Sequence, residues 1–340
     1  MIILGIETTC DETGVSLIEA ENDRVRILKN ELASQYKIHN KFGGVVPILA
    51  SREHKKNLPL LLKKIEKDFN LERIDYLAFS VGPGLLPSLI AGKEFVTWLA
   101  KKLNKKIIPV DHLSAHWYSV LIKNKIGWQK IKEIDFPALV LIVSGGHTNL
   151  YLFESWKKSK KLGQTLDDAA GESLDKAARA LKLGYPGGPI IEKMSKLAKH
   201  SYILPKPILS KGYNFSFSGL KTAFLELINE IKKYKRINEQ TVADLSFSFQ
   251  KTVFEILIYK LKKASFEFKP KTIIVSGGVS ANETLKKMVK KVLSDFQIYF
   301  PERTLATDNG VNISLAGYLL FKNSHQPVEP KNLEVYQRSS

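Results

Sequence analysis

Two histidines four residues apart, His112 and His116 in IIPVDHLSAHWYS, follow a short apolar run. On a helix that spacing puts both imidazoles on one face, where a divalent metal can be held. A zinc peptidase would carry a glutamate general base directly after the first histidine; here that position is Leu113. From the residues alone, such a pair is more often packed or hydrogen-bonded than metal-bound. A metal put to some use other than peptide cleavage stays open beside that. A second chemically capable group lies in ETTCDETG, where Glu7, Asp11 and Glu12 crowd one polar turn with Cys10, the only cysteine. A single cysteine excludes an internal disulfide and a Cys-rich zinc site. With no basic neighbour to lower its pKa, Cys10 reads as a small buried filler rather than a nucleophile. A turn-forming role is the ordinary one for Asp11.

The third signal is an internal echo. LIVSGGHTN and IIVSGGVSAN place Val-Ser-Gly-Gly after a buried strand twice, at Ser144 to Gly146 and at Ser276 to Gly278. Glycines at a strand end let backbone N–H groups approach an anionic ligand closely. One such turn is weak evidence, since Gly-Gly also makes ordinary hairpins. Two copies together with the N-terminal acidic turn look like a duplicated nucleotide-binding lobe, of neither the Rossmann nor the Walker pattern.

Strands and helices alternate along the chain, which predicts an α/β fold. MIILGIETT and TGVSLIEA form a hairpin, NLPLLLKKIEKDF a helix, IDYLAFSVGPG a strand and LLPSLIAGKEFVTWLAKKL a helix. KKIIPV is a short strand that delivers the histidines. PALVLIVSGGHTNLYLFE is a strand, turn and returning strand. From Thr165 helices dominate, the first stopping at GYPGGP. ATDNGVNISLAGYLLF reads as a loop with Asp308 near an N-cap and then a helix, and HQPVEPKNLEVYQRSS as extended or loose. The 340 residues suffice for two lobes. Composition is that of an ordinary globular protein, with no apolar run of bilayer-spanning length and no basic, apolar leader, so cytoplasm is the expected location. The net charge of +18 fits a polyanion partner or a generally lysine-rich proteome equally.

GIETTCDETGVSL, GGVVPILASREH, SVGPGLLPSL, DHLSAH, LIVSGGHTNL, LDDAAGESLDKAARALKLGYPGGP, NFSFSGLKTA, SGGVSANETL and TDNGVNIS run in order over nearly the whole chain. Together they resemble the actin, Hsp70 and sugar-kinase superfamily. Within it they resemble most closely the tRNA threonylcarbamoyladenosine transferases of bacterial type. The resemblance implies a two-lobed actin-like α/β fold with duplicated lobes and an interlobe cleft that holds the ligands. Lobe I would comprise residues 1–108 plus 300–325, lobe II residues 109–299 with the histidines and nucleotide turns, and 326–340 a tail. It implies an acyltransferase that moves a threonylcarbamoyl group from threonylcarbamoyl-AMP to the N6 amine of adenosine 37 in tRNAs reading ANN codons, releasing AMP. The implied partners are tRNA, an inactive (TsaB-like) paralogue and a (TsaE-like) P-loop ATPase, without a membrane.

Residue by residue, the resemblance makes His112, His116 and Asp308 ligands of one divalent metal, iron or alternatively zinc. The absent peptidase glutamate then fits, because acyl transfer to an amine needs water kept out. The adenylate would meet Ile142, Val143, Ser144, Gly145 and Gly146, with Asp175, Gly188, Glu192 and Asn282; Asp175 and Glu192 suit ribose hydroxyls. Without the resemblance, Asp175 reads as an i,i+4 partner of Arg179, Glu192 as a solvated face and Asp308 as an N-cap. Asp11 or Glu12 is the candidate proton acceptor. Ile48 stands where the family usually has an acid, and His54 reads as a structural hydrogen-bonder. Lys206, Lys211 and Lys221, interleaved with Tyr213, Phe215 and Phe217, suggest phosphate contacts and base stacking, with strand packing as the alternative for the aromatics. Two rival classes remain. An ATP-dependent kinase of the same fold has no use for the histidine pair, and a non-catalytic scaffold would lack that pair and Asn282.

Overall fold

The computed structural model describes residues 1–207, 212–234 and 236–337. The chain forms two compact units, Met1–Glu133 with Pro301–Ser340, and Ile134–Phe300. The first begins with β1 (Ile2–Glu7), β2 (Glu12–Glu21) and β3 (Arg24–Ser34), followed by helices α1 (Tyr36–His39) and α2 (Pro47–Glu66). β4 (Tyr76–Gly82), α3 (Leu86–Leu103), β5 (Ile107–Asp111), α4 (His112–Tyr118) and β6 (Gln129–Lys130) complete its N-terminal part. The second unit holds β7 (Ala138–Val143), β8 (Thr148–Phe153), β9 (Ser159–Gln164), α5 (Ala170–Ala180), α6 (Gly187–Ser195), α7 (Ser218–Tyr234), α8 (Glu239–Phe268), β10 (Thr272–Ser276), α9 (Glu283–Val292) and β11 (Gln297–Tyr299). The chain then returns to the first unit as α10 (Arg303–Ala306) and α11 (Gly310–Lys322).

The two sheets repeat one plan. Their orders are β5-β4-β1-β2-β3-β6 and β11-β10-β7-β8-β9, each with three parallel strands on one side and an antiparallel meander on the other. This is the duplicated α/β architecture that the motif resemblance implies; the two Val-Ser-Gly-Gly turns do not mark the two copies, because both follow neighbouring strands, β7 and β10, of the second sheet. The first strand of each unit, IILGIE and ALVLIV, is buried throughout because it lies centrally with cover on both faces. Along β1 the period of two sends Ile2, Leu4 and Ile6 into a core with Leu58 and Leu62 of α2 and Val96 and Leu99 of α3. Gly5 faces the other way, against α11: a Cβ there would lie 2.5 Å from the Ser314 nitrogen. Only a glycine allows helix and strand backbones to approach that closely.

The boundary expected at residue 108 falls instead between 133 and 134. β5 pairs with β4, and α4 packs on α11, so the histidines belong to the first unit rather than the second. Residues 326–337 are extended and anchored rather than loose. Val328 bridges Ile107, Leu333 is buried, and the Tyr336 N–H donates to the Val81 carbonyl at 3.0 Å. Sequence patterning also passed over β3, β9 and β11. β3 and β9 carry lysines and partly exposed residues toward the sheet edges, where the apolar alternation fades, and β11 is only three residues long. Among the described residues no helix is long and apolar enough to cross a membrane.

Candidate metal centre and nucleotide turns

β5 runs directly into α4, with Asp111 as N-cap: its Oδ1 accepts the Ser114 N–H at 2.7 Å. Capping fixes the start of the helix, so its first residue, His112, and its fifth, His116, share a face. Both are buried, with ring centroids 4.7 Å apart at an interplanar angle of 71°. Asp308 lies opposite. It does not cap α11; Asn309 does, accepting the Asn312 N–H at 3.0 Å, which leaves the preceding carboxylate for other work. Asp308 Oδ1 sits 3.3 Å from His116 Nε2 and 3.7 Å from His112 Nε2. One ligand atom from each of the three residues lies within 4.8 Å of the others. Sequence reasoning thus named three residues that the fold brings together within a single unit.

The second layer was not foreseen. Glu7, the last residue of β1, points its Oε2 at His112 Nδ1 at 3.1 Å, and Thr9 Oγ1 lies 3.3 Å from the same nitrogen. A carboxylate on Nδ1 orients the ring and leaves Nε2 facing Asp308, the arrangement that supports metal-binding imidazoles. Burial alone would lower the His112 pKa, but Glu7 and Asp308 outweigh it and raise it to about 9. In the metal-free chain the imidazole is therefore protonated, and a bound cation would replace that proton's charge. His116 Nε2 is buried and makes no hydrogen bond among the described residues, although Asp308 Oδ1 lies 3.3 Å away. An orphaned buried nitrogen facing a carboxylate is what a metal site leaves when described without its ion. The donor set fits a divalent metal.

Glu12 is raised to about 8, first by burial and then by Asp308, Asp11 and Glu7. Its buried Oε2 has no hydrogen-bond partner. Cys10 is a thiol, not a thiolate: burial, then Asp11 and Asp308, push it well above its ordinary value. His54 is structural, as expected, joining Thr13 Oγ1 at 2.8 Å to the Cys10 carbonyl at 2.9 Å. Ile48, in the first turn of α2, is 62% exposed.

The nucleotide candidates lie in the second unit, at the carboxyl ends of the parallel strands β7 and β10. Ligands of open α/β sheets bind at such ends. Ile142 and Val143 are fully buried, backbone included, and support the turn from beneath. Gly145 and Gly146 are exposed, and a Cβ on either would meet nothing within 4 Å. Nothing in the packing demands glycine there, as access for a ligand would. The turn continues into its neighbours: the Gly171 N–H of α5 donates to the Ser144 carbonyl, and Gly277 packs on the Val143 backbone. Asp175 Oδ1 accepts the Gly187 N–H at 2.6 Å, which ties α5 to the start of α6. A Cβ on Gly188 next to it would meet only Leu174 Cδ1, at 4.0 Å. Glu192 is buried and accepts the Glu283 N–H at 3.0 Å, so it is not a solvated face. Asn282 caps α9 through Oδ1 and donates to Gln250 Oε1 at 2.8 Å. Asp175, Glu192 and Asn282 therefore each hold one helix start in place.

The three aromatics pack as the strand alternative had it and form no stacking platform. Tyr213, Phe215 and Phe217 are buried in the core of the second unit, because the apolar face of their segment turns inward. Lys206 pairs with Glu255 at 2.7 Å and Lys221 with Asp168 at 3.1 Å; Lys211 lies outside the described residues.

The sequence model of the family described as TsaD, tRNA N6-adenosine threonylcarbamoyltransferase, matches residues 26–315. The chain belongs to this family. Proteins called tRNA N6-adenosine threonylcarbamoyltransferase from Persephonella marina and Thermosipho africanus are each 42% identical to it. The alignments cover 97% and 95% of this chain and 93% and 95% of theirs. The Mycoplasma mobile protein of that name is 40% identical over 95% of this chain and 100% of its own. Among solved structures, T. kodakarensis HypF superposes with a TM-score of 0.60 over 94% of this chain, at 16% identity. This chain spans about half of that one, 48%, and the likeness shows the shared actin-like fold alone. Of the TsaD-type site, sequence reasoning missed Glu7's contact with His112, Thr9 and the cap at Asp111. The aspartate ahead of a short helix was the one visible signal.

Proposed function

We propose that this chain transfers a threonylcarbamoyl group from threonylcarbamoyl-AMP to the N6 amine of adenosine 37 of tRNA, with AMP as leaving group. One observation carries it: a TsaD-family chain keeps two buried imidazoles and a carboxylate converging on one point, which a kinase of this fold would not need. His112, His116 and Asp308 would hold iron, with zinc as the alternative. When bound, the metal supplies Lewis acidity toward carbonyl or carboxylate oxygens.

The remaining chemistry falls to the protein's own groups. The amine nitrogen attacks the carbamoyl carbon, a C–N bond forms, the bond from carbon to phosphate oxygen breaks, and the amine proton leaves. Glu12, with a pKa near 8, is in the range where a carboxyl group can accept and return a proton near neutrality. A cation at the histidines would draw that value down. In the second unit the Ser144-Gly145-Gly146 backbone would face the adenylate, with Gly188 leaving room for it. Asp175 and Glu192, each of which accepts a backbone N–H, would take the ribose hydroxyls. Lysines would track the tRNA backbone collectively, positioning rather than reading it. A TsaB-like paralogue and a TsaE-like ATPase are the proposed protein partners.

The test supplies purified chain, alone and with those two partners, with threonylcarbamoyl-AMP and a tRNA transcript in the absence of ATP. Modified adenosine and stoichiometric AMP are expected. A phosphorylated small molecule formed only with ATP would instead make the chain a kinase. Bound tRNA without product under every condition would make it a scaffold.

A further inference from the structure

The C-terminal segment touches both supports of the metal-binding helix. Asp111 caps α4 with one carboxylate oxygen; the other, Oδ2, accepts the Tyr336 hydroxyl at 2.5 Å. The same stretch of chain grips the turn after β4. The Tyr336 N–H donates to the Val81 carbonyl at 3.0 Å, and the Gly84 N–H donates to the Gln337 carbonyl at 3.2 Å. That turn in turn holds Thr9: the Leu85 N–H donates to the Thr9 carbonyl at 2.8 Å, and Gly84 lies so near that a Cβ would come within 2.7 Å of that oxygen. Thr9 Oγ1 sits 3.3 Å from His112 Nδ1. Thus two short routes run from residues 336–337 to one imidazole, through Asp111 and through Gly84 and Thr9.

The arrangement matters because α4 has seven residues, too few to hold its own shape. Its C-terminal end is held by Ser119 Oγ, which donates to the His116 carbonyl at 2.5 Å. Its N-terminal end depends on the rotation of the Asp111 carboxylate. A carboxylate fixed at one oxygen only can pivot; fixed at both, it sets the first turn and with it the direction of His112.

We infer that Tyr336 is a positioning residue for the metal centre, acting through Asp111 and the start of α4. Since this takes His112, His116 and Asp308 as a metal site, it rests on the function proposed above. The segment stays anchored at Val328 and Leu333 without the hydroxyl, so Tyr336→Phe should fold.

The experiment adds Co2+ to the full-length, metal-free chain, with affinity read by chelator competition and ligand geometry by the visible spectrum. Tyr336→Phe is expected to bind Co2+ about threefold more weakly, less than the 10–100-fold of a direct outer-shell partner because Tyr336 acts through Asp111, and with shifted bands. Tyr318→Phe removes a comparable bond in the same unit, from its hydroxyl to the Asn22 carbonyl at 2.8 Å, and should leave both readouts unchanged. Asp111→Ser keeps a cap but loses the tyrosine, and combined with Tyr336→Phe it should add nothing further. Wild-type affinity and spectrum in Tyr336→Phe, or equal losses in Tyr318→Phe, overturn the inference alone. Should His112→Ala bind Co2+ as well as the wild type, the metal site itself fails and the inference with it.

Discussion

The two units share a strand plan and differ in what they hang on it. After its first strand, the N-terminal unit has a tightly buried turn of side chains, Glu7-Thr8-Thr9, and after its fifth strand the histidine helix. At the matching point the second unit has a buried Ser144 followed by Gly145 and Gly146, which are open and expose backbone. One copy offers carboxylates and imidazoles suited to a cation; the other offers amides suited to an anion. Charge follows the same division. Residues 134–300 hold 27 Lys and Arg against 15 Asp and Glu, two thirds of the net +18. Duplication supplied the scaffold, and chemistry diverged at the strand ends.

The largest effect should come from His112→Ala or Asp308→Ala. Bound metal and transfer should fall together, each by more than about 100-fold, since outer-shell partners alone account for 10–100-fold. Metal analysis alongside AMP release checks this, and full activity without metal would detach the first unit from the chemistry. Glu7→Gln should weaken metal binding by about 10–100-fold while leaving the three ligands in place. Its readout is the metal dissociation constant.

Glycines sharpen the contrast between the units. Gly5→Ala puts a methyl group against the α11 backbone and should cost about 1–3 kcal/mol in urea unfolding. Asn282→Ala should cost about 1 kcal/mol by uncapping α9, and should loosen adenylate binding as well. Gly145→Ala should change stability by less than about 0.5 kcal/mol yet reduce adenylate affinity in calorimetry. An unchanged affinity would remove the open turn from the site.

The smallest effect concerns pH. Burial would raise the Asp168 pKa, but its bonds to Lys176 and Lys221 outweigh that and hold it below 3.8. A depressed folded value means the contribution is complete above the unfolded pKa and disappears as pH falls through the folded one. Urea midpoints of the wild type should therefore drop more steeply below about pH 4 than those of Asp168→Asn. Parallel curves would show that this cluster contributes nothing.

What the sequence disclosed follows from where its signals are local. The hairpins, the long helices and the spacing of His112 and His116 each depend on residues within a few positions, so periodicity exposes them. The convergence of Asp308 and Glu7 on those histidines depends on which strand lies beside which. Only the motif resemblance anticipated Asp308, and nothing anticipated Glu7 at His112. Asn309 outcompeted Asp308 as the cap because its own side chain reaches the Asn312 N–H. The solvated-face reading of Glu192 and the stacking reading of the aromatics at 213–217 fail for one shared reason: polarity and alternation do not say which face of a segment the core will claim.

Because Asp308 and α11 come from the far end of the chain, the order of synthesis bears on the metal centre. The second unit is contiguous and can fold while the ribosome is still at work, whereas β1 waits for the helix that covers it. At about 5–20 residues per second, the histidines precede their carboxylate by roughly 10 s or more. During that interval the nascent protein presents a bare imidazole pair. Any message broken before the Asp308 codon yields a product without the third candidate ligand.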